Sequence, residues 1–391
     1  MTPRKIIFAS AHRFKPTLRL GTSYLAEAFA KRGWEVLFIE QPTSLFHMIH
    51  PAKSRIATDK FKKAARTIWQ GNPMVLAEPV SLLNVVSLIP HVNVPAFRSS
   101  ATLEHWWRMT FPSVTREIRE RGFANASALV FDSPFFFPLA RATETPSVYR
   151  YADRMREFSE VTPAMRLLEE RIFREADLVF YTSKALENDL ADRKGPVLHL
   201  PNGVDIDAYG NRPPEPAELS TIPEPRVIYS GTIGRWFDAG LIRAAARELD
   251  QIQFVLLGNL PPERTKLADI PNVHLLGEKS FERVPEFLLH CQAAIIPFDV
   301  DGMPDLVGAI NPLKLYEYCA AGLPVVTYVS EEIAAGGAPV DFYRSKRDFI
   351  ELIRDAIRAD STEKRQARKA WAATASWDLR AAELERTLAR I

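Results

Sequence analysis

The sequence predicts an α/β protein built as two Rossmann-like, doubly wound domains that face each other across a cleft. Short apolar runs alternate with amphipathic stretches along most of the chain, the pattern of a parallel sheet covered by helices. A single proline-rich break divides that alternation into two halves. The length, 391 residues, is also more than one hydrophobic core normally organises.

In the first half, strands are expected at 5–10, 35–40, 128–132, 147–151, 177–182 and 197–200. Each run is rich in Val, Ile, Leu or Phe, as strands buried on both faces should be. Helices are expected at 20–31, 102–121 and 163–175, where apolar residues recur at helical spacing. Residues 211–225, NRPPEPAELSTIPEP, cannot continue a helix or a central strand and are expected to form a linker. Beyond it, strands are expected at 226–230, 253–257, 273–276, 293–298 and 324–328, and helices at 238–249, 281–291 and 312–321. A polar, helix-rich tail follows. The expected division is a first domain over 1–205, a linker over 206–225, a second domain over 226–365, and a C-terminal helix at 366–391 able to cross back to the first.

Composition narrows the function classes. With 47% hydrophobic and 25% charged residues the chain is no disordered segment, coiled coil or fibre. Two cysteines, Cys291 and Cys319, exclude a disulfide scaffold and a Cys-rich zinc module. Both lie on apolar helical patterns and are expected in the core. No apolar run reaches the roughly 18 residues of a membrane span, and the N-terminus shows no signal-peptide apolar region. A cytoplasmic protein is expected. The net charge is only +2, yet residues 1–130 hold 18 Lys and Arg against 8 Asp and Glu. Such a basic front suits an anionic partner: nucleic acid, an anionic lipid surface or a phosphorylated acceptor.

The most informative segment is 311–326, NPLKLYEYCAAGLPVV. Asn311 and Pro312 make a helix start, with Asn as N-cap and Pro at the first helical position. A helix N-terminus carries free N–H groups and the positive end of the dipole, so it suits a diphosphate. Lys314 adds a cation there, and Glu317, one turn on, is placed to accept hydrogen bonds from ribose hydroxyls. The same residues also describe a well-capped helix with an exposed Lys and Glu. Gly231 and Gly234, in YSGTIGRW, flank a strand-to-helix turn, and Arg235 follows them. Glycines let backbone approach phosphate and Arg can clamp it, though a lone tight turn has the same pattern.

Segment 311–326 resembles the donor-binding signature of the GT-B glycosyltransferases: proline–x–lysine–x–x–glutamate–(Tyr/Phe)–x–Ala–x–Gly–x–Pro–Val–Val. Residues 200–205, LPNGVD, 229–236, YSGTIGRW, and 176–186, ADLVFYTSKAL, resemble further segments of that superfamily, in the expected order over most of 140–330. Within it the chain looks closest to polysaccharide-assembly enzymes such as those of teichuronic acid, and is similar, more distantly, to the glucuronosyltransferase of xanthan assembly. The resemblance implies a transferase moving a sugar from a nucleotide-sugar donor, a uridine diphosphate sugar, to a glycan or lipid-linked acceptor in surface polysaccharide assembly. It assigns Gly231, Arg235, Asn311, Pro312, Lys314 and Glu317 to the donor, bound by the second domain, and the acceptor to the first.

Two positions depart from the family-four pattern. Gly240 stands where many relatives have a lysine, which leaves more of the phosphate charge to Lys314. Ala309 stands where retaining relatives have the first of two glutamates spaced by seven, so the retaining pattern is incomplete. An inverting transfer needs a base for the acceptor hydroxyl. Asp153, which follows the expected strand at 147–151, is the candidate, because the xanthan-assembly enzyme carries a catalytic aspartate after the equivalent strand. From the residues alone, Asp153 is equally an N-cap or the partner of Arg154 or Arg156. His12, ending the first strand, is a secondary catalytic candidate on the acceptor side. Asp132 also ends a strand, but Ser133 and Pro134 follow it, so an N-cap role is equally open to it.

Residues 53–69, KSRIATDKFKKAARTIW, interleave six basic residues with Ile56, Phe61, Ile68 and Trp69. They are a solvated helix face or a contact for anionic lipid headgroups. Enzymes of the resembled kind work on lipid-linked acceptors, which implies peripheral association with the inner face of the cell membrane. No nucleic-acid module is present in the sequence. No cofactor and no metal are expected: the sequence holds no Asp-x-Asp motif, and Lys, Arg and helix dipoles can neutralise a leaving diphosphate. Two other classes share these features. One is a nucleotide-sugar 2-epimerase; the other is a relative that binds nucleotide sugars without catalysis.

Overall fold

The computed structural model describes residues 4–14, 19–44, 74–77, 80–87, 100–158, 161–259 and 267–391. The chain forms two compact units. The first holds Met1–Lys15, Leu20–Leu200 and Ala381–Ile391; the second holds Pro16–Arg19 and Pro201–Arg380.

An eight-stranded sheet runs through the first unit. From edge to edge its strands are Val197–His199, Leu178–Tyr181, Ser147–Tyr151, Leu129–Phe131, Lys5–Ser10, Glu35–Glu40, Val80–Leu83 and Met74–Ala77. All neighbours are parallel except the last pair. Apolar side chains such as Ile6, Ile7, Phe8, Val130 and Phe131 are fully buried, as they must be where helices cover both faces. The first strand lies between Glu35–Glu40 and Leu129–Phe131, so strand order reverses at its carboxyl end. In open parallel sheets that switch point is where a ligand crevice forms. A separate small sheet pairs Thr43–Ser44, Val86–Ser87 and Thr110–Phe111.

The second unit repeats the plan. Its six parallel strands are ordered Val273–Gly277, Gln253–Leu257, Arg226–Ser230, Ala293–Ile296, Val325–Tyr328 and Asp341–Tyr343. Here the switch point is the carboxyl end of Arg226–Ser230. Helix Leu313–Ala320 packs against Thr362–Ala373, with Tyr316 stacked on Trp371 at 5.3 Å. Ser345 and Ser361 cap the helices Lys346–Arg358 and Thr362–Ala373, accepting from Asp348 N and Lys364 N.

Three expectations change in the structure. The helix expected over 102–121 is three pieces: Ser100–His105, the 3-10 turn Trp106–Met109, and Val114–Glu120. Pro112 lacks an N–H and forces the residue before it out of helical geometry, so Thr110–Phe111 is extended instead. The helix expected over 281–291 is only Val284–Leu288. A start at 281 would place Pro285 in the helix interior, whereas the observed start puts it in the first turn. The proline-rich segment is packed rather than loose. Ala217–Ser220 forms a helical turn, Leu219 and Ile222 are buried in the second unit's core, and Glu215 pairs with Arg226 at 2.5 Å. Cys291 and Cys319 are free and buried, as their apolar patterns implied. The basic segment 53–69 lies outside the described residues.

Candidate functional site

In the second unit, the strand Arg226–Ser230 delivers the chain into a turn at Gly231. This glycine has φ +139°, a backbone conformation that other residues rarely adopt. A Cβ there would lie 3.0 Å from Lys314 Cε and 3.2 Å from Nζ. The turn and the lysine are thus in direct apposition. Lys314 Nζ sits 5.2 Å from the ring centre of Tyr229 and 5.0 Å from that of Phe298. Both rings end strands next to the switch point, and both offer a cation their negative faces. Burial lowers the Lys314 pKa to about 8, with Glu317 pulling the other way. Glu317, one turn along the same helix, is raised by burial and lowered in part by Lys314. Both side chains keep partial contact with solvent, which screens these shifts.

The helix bearing Lys314 and Glu317 is held at both of its early turns. Ser230 N donates to Tyr318 Oη at 2.7 Å, tying the helix to the strand that leads into Gly231. Tyr229 Oη donates to Thr232 O at 2.8 Å and shapes the turn itself. Asn311 is buried. Its Oδ1 accepts from Asn202 N and Tyr316 Oη, and its Nδ2 donates to Glu332. Its side chain therefore braces the helix start and does not cap it. The N-cap position falls to Pro312, without a side-chain cap, and the helix begins at Leu313. Pro312 is buried, while Arg235 is exposed on the loop beyond Gly231. Ala309 is buried at the end of Pro304–Gly308, and Asp305 is exposed on that short helix.

In the first unit, Asp153 follows the strand Ser147–Tyr151 and is exposed. Its carboxyl is nonetheless held above the ordinary range. Burial by the surrounding protein is the main cause, Arg150 and His12 oppose it, and Asp132 adds to it. A side chain that meets solvent yet is crowded by protein on several sides has this mixture, and the solvent contact screens the shift. Arg150 itself is buried, with Asp132 and Asp153 favouring its cation. Arg154 and Arg156 do not pair with Asp153. Both bond to Asp189 instead.

Asp132 has a different place from that of an N-cap. Its carboxylate accepts from Ser10 Oγ at 2.6 Å, Thr22 Oγ1 at 2.7 Å and Ala11 N at 3.1 Å. It fastens the loop after the first strand to the start of helix Gly21–Lys31. His12 is exposed on that loop, its backbone N–H donating to Ser10 Oγ. Arg150, Asp132 and His12 thus all lie within electrostatic reach of Asp153, near the carboxyl ends of parallel strands. Among the described residues, no group of three or more His, Cys, Asp or Glu is arranged to hold a metal ion. Nor is any helix there long and apolar enough to cross a membrane.

Tyr229, Phe298 and Asp189 were not singled out from the sequence. A signal for the first two exists: each is an aromatic residue at or just beyond the end of an apolar strand. Which strand ends adjoin, however, depends on sheet order.

Residues 8–182 match the family model for the N-terminal domain of the glucuronosyltransferase GumK. Residues 224–358 match the model for group 1 glycosyl transferases. No curated protein matches the chain. Among solved structures, sucrose-phosphate synthase from Thermosynechococcus elongatus aligns with a TM-score of 0.71 at 15% identity, covering 99% of each chain. HepE of Anabaena in complex with UDP-glucose aligns with a TM-score of 0.62 at 15% identity, covering 99% of this chain and 100% of the other. A glycosyltransferase from Rickettsia africae aligns with a TM-score of 0.62 at 11% identity, covering 99% and 98%. These likenesses are of the two-unit α/β fold.

Proposed function

Since the chain belongs to the GT-B glycosyltransferases, we propose that it transfers a hexosyl group from a uridine diphosphate sugar to a glycan or lipid-linked acceptor in surface polysaccharide assembly. The observation that carries this reading is the convergence of Gly231, Lys314 and Glu317 at the switch point of the second unit's sheet. Backbone at a glycine turn, a desolvated cation and a helix N-terminus together suit a diphosphate. Glu317 is placed for the ribose hydroxyls. Arg235 adds a second cation to the loop. HepE, a structural neighbour, binds UDP-glucose, which supports uridine as the base.

In the first unit, Asp153 takes the proton from the acceptor hydroxyl as that oxygen attacks the anomeric carbon. The bond from that carbon to the diphosphate breaks in the same step, with inversion. The GumK-type match over 8–182 encloses Asp153 and supports this role. Lys314, Arg235 and the helix dipole neutralise the leaving diphosphate, so the proposal includes no metal and no cofactor. The basic balance of residues 1–130 supports a lipid-linked acceptor at the inner face of the membrane.

Thermal melting with a panel of nucleotides and nucleotide sugars tests the donor site. A ligand at 100 times its Kd adds about 2.7 kcal/mol to the state that binds it, a shift of a few degrees for a unit of this size. A shift with uridine nucleotides that disappears in Lys314→Ala is expected. No shift with any nucleotide overturns the donor assignment. Asp153→Ala is expected to keep UDP-sugar binding and to lose turnover by about 100- to 10,000-fold.

A further inference from the structure

The loop that carries Asp153 is pinned almost residue by residue by one neighbouring segment. Tyr151 Oη donates to Asp189 Oδ2 at 2.8 Å. Thr182 Oγ1 donates to Ala152 O at 3.0 Å. Arg154 Nε donates to Asp189 Oδ2 at 2.8 Å, and its Nη2 to Ala185 O at 2.7 Å. Arg156 Nη2 donates to Asp189 Oδ1 at 2.7 Å. Residues on both sides of Asp153 are therefore tied to 182–189, while Asp153 itself stays exposed. One carboxylate, 9% exposed at its side chain, gathers three of these bonds. We propose that Asp189 is a positioning residue for the base, fixing the loop from residue 151 to residue 156 so that the Asp153 carboxylate is held in place while it stays exposed. This rests on the reading of Asp153 as the base.

Sequence spacing supports a purpose beyond ordinary packing. Arg154 and Arg156 stand on either side of Met155, next to a carboxylate that must accept a proton from substrate. Left to themselves, two cations so near would stabilise the ionised base and weaken it as a proton acceptor. Asp189 takes up both. Burial works against its ionisation, yet the hydrogen bonds from Arg154, Tyr151 and Arg156 win and hold it below the ordinary aspartate range. The charged groups that face Asp153 are then Arg150 and His12 on the cationic side and Asp132 on the anionic side.

The test is Asp189→Asn, with steady-state kinetics across pH and calorimetry with the UDP-sugar. Asparagine keeps an acceptor for Tyr151 but loses the charge that holds the two arginines. A fall in kcat of about 10- to 100-fold is expected, with the donor Kd unchanged within twofold. The acid limb of the kcat/KM profile moves to lower pH, because the released arginines favour the ionised base; a residue with only a structural role leaves that limb in place. A kcat within threefold of wild type, or an unmoved limb, overturns the proposal. Should Asp189→Asn fail to fold, Arg154→Gln and Tyr151→Phe each remove one arm. Each is then expected to lower kcat at unchanged donor Kd, and wild-type kcat in both overturns the clamp. Asp153→Ala separates the two readings. Full turnover in that variant ends the base assignment whatever Asp189→Asn does. An inactive Asp153→Ala beside an unimpaired Asp189→Asn ends only the clamp.

Discussion

Lys314 shows how one side chain's surroundings set what it can do. Packed against two aromatic rings, it titrates near pH 8 in the unliganded protein. A diphosphate bound beside its cation would raise that value again. Donor affinity is therefore expected to hold below pH 8 and to weaken above it, by up to about tenfold per pH unit. Calorimetry between pH 6.5 and 9.5 reads this directly, and Lys314→Arg should abolish the trend, since a guanidinium stays charged throughout. Glu169 is a second case. It is buried, accepts from Tyr149 Oη at 2.6 Å, and burial raises it to about 7. Between its ordinary value near 4.5 and that raised value, the folded state holds more protons than the unfolded one. Stability therefore falls as pH rises through this window. Glu169→Gln should keep the Tyr149 contact and remove that loss. The variant's melting temperature should then gain a few degrees on the wild type at pH 7.5, and little at pH 4.5.

At the scale of elements, each candidate site is a pair of strand ends joined by a turn that only certain residues allow. Gly258, after the strand Gln253–Leu257, has φ +150°, and a Cβ there would stand 2.0 Å from Gly231 O. Backbone cannot yield as the tip of a flexible side chain can. Gly258→Ala is expected to displace the Gly231 turn, to destabilise the second unit by about 2 kcal/mol or more, and to abolish the UDP-dependent melting shift. A variant that melts and binds like wild type would show that the two turns move apart without consequence. The eleven strands expected were legible to within one or two residues, because apolar runs buried on both faces leave little ambiguity, whereas Met74–Ala77, Val80–Leu83 and Asp341–Tyr343 were not expected. The helix at 102–121 was not legible. Amphipathic spacing continues through that stretch, and Pro112 interrupts it with a local constraint that periodicity does not register.

For the whole molecule, the chain passes through the first unit, then the second, and returns its last residues to the first. Glu385 marks that return. It accepts from Arg32 Nε at 2.9 Å and Trp34 Nε1 at 3.3 Å and pairs with Arg4 at 2.5 Å. A carboxylate only 13% exposed that serves three partners is costly to remove. Glu385→Ala is expected to destabilise the first unit by about 1–3 kcal/mol while leaving the UDP-dependent shift of the second unit intact. Loss of that shift would mean that the last helix supports both units.

The sequence by itself determined the two-unit α/β plan, the place of eleven of the fourteen strands in the two main sheets, and the helix that carries Lys314 and Glu317. These follow from local chemistry: apolar runs buried on both faces, turn residues, and a motif whose members lie within one or two helical turns. Tertiary structure decided the roles of Asn311, Asp132 and Asp189. Asn311 reads as an N-cap in sequence, but its amide is spent on Asn202, Tyr316 and Glu332. Asp132 reads as an N-cap, but it holds Ser10 and Thr22 from more than 100 positions away. Asp189 lies 33 to 38 residues from the groups that it binds. A polar side chain is defined by its partners, and in a parallel sheet those partners come from strands whose spatial order the sequence does not display.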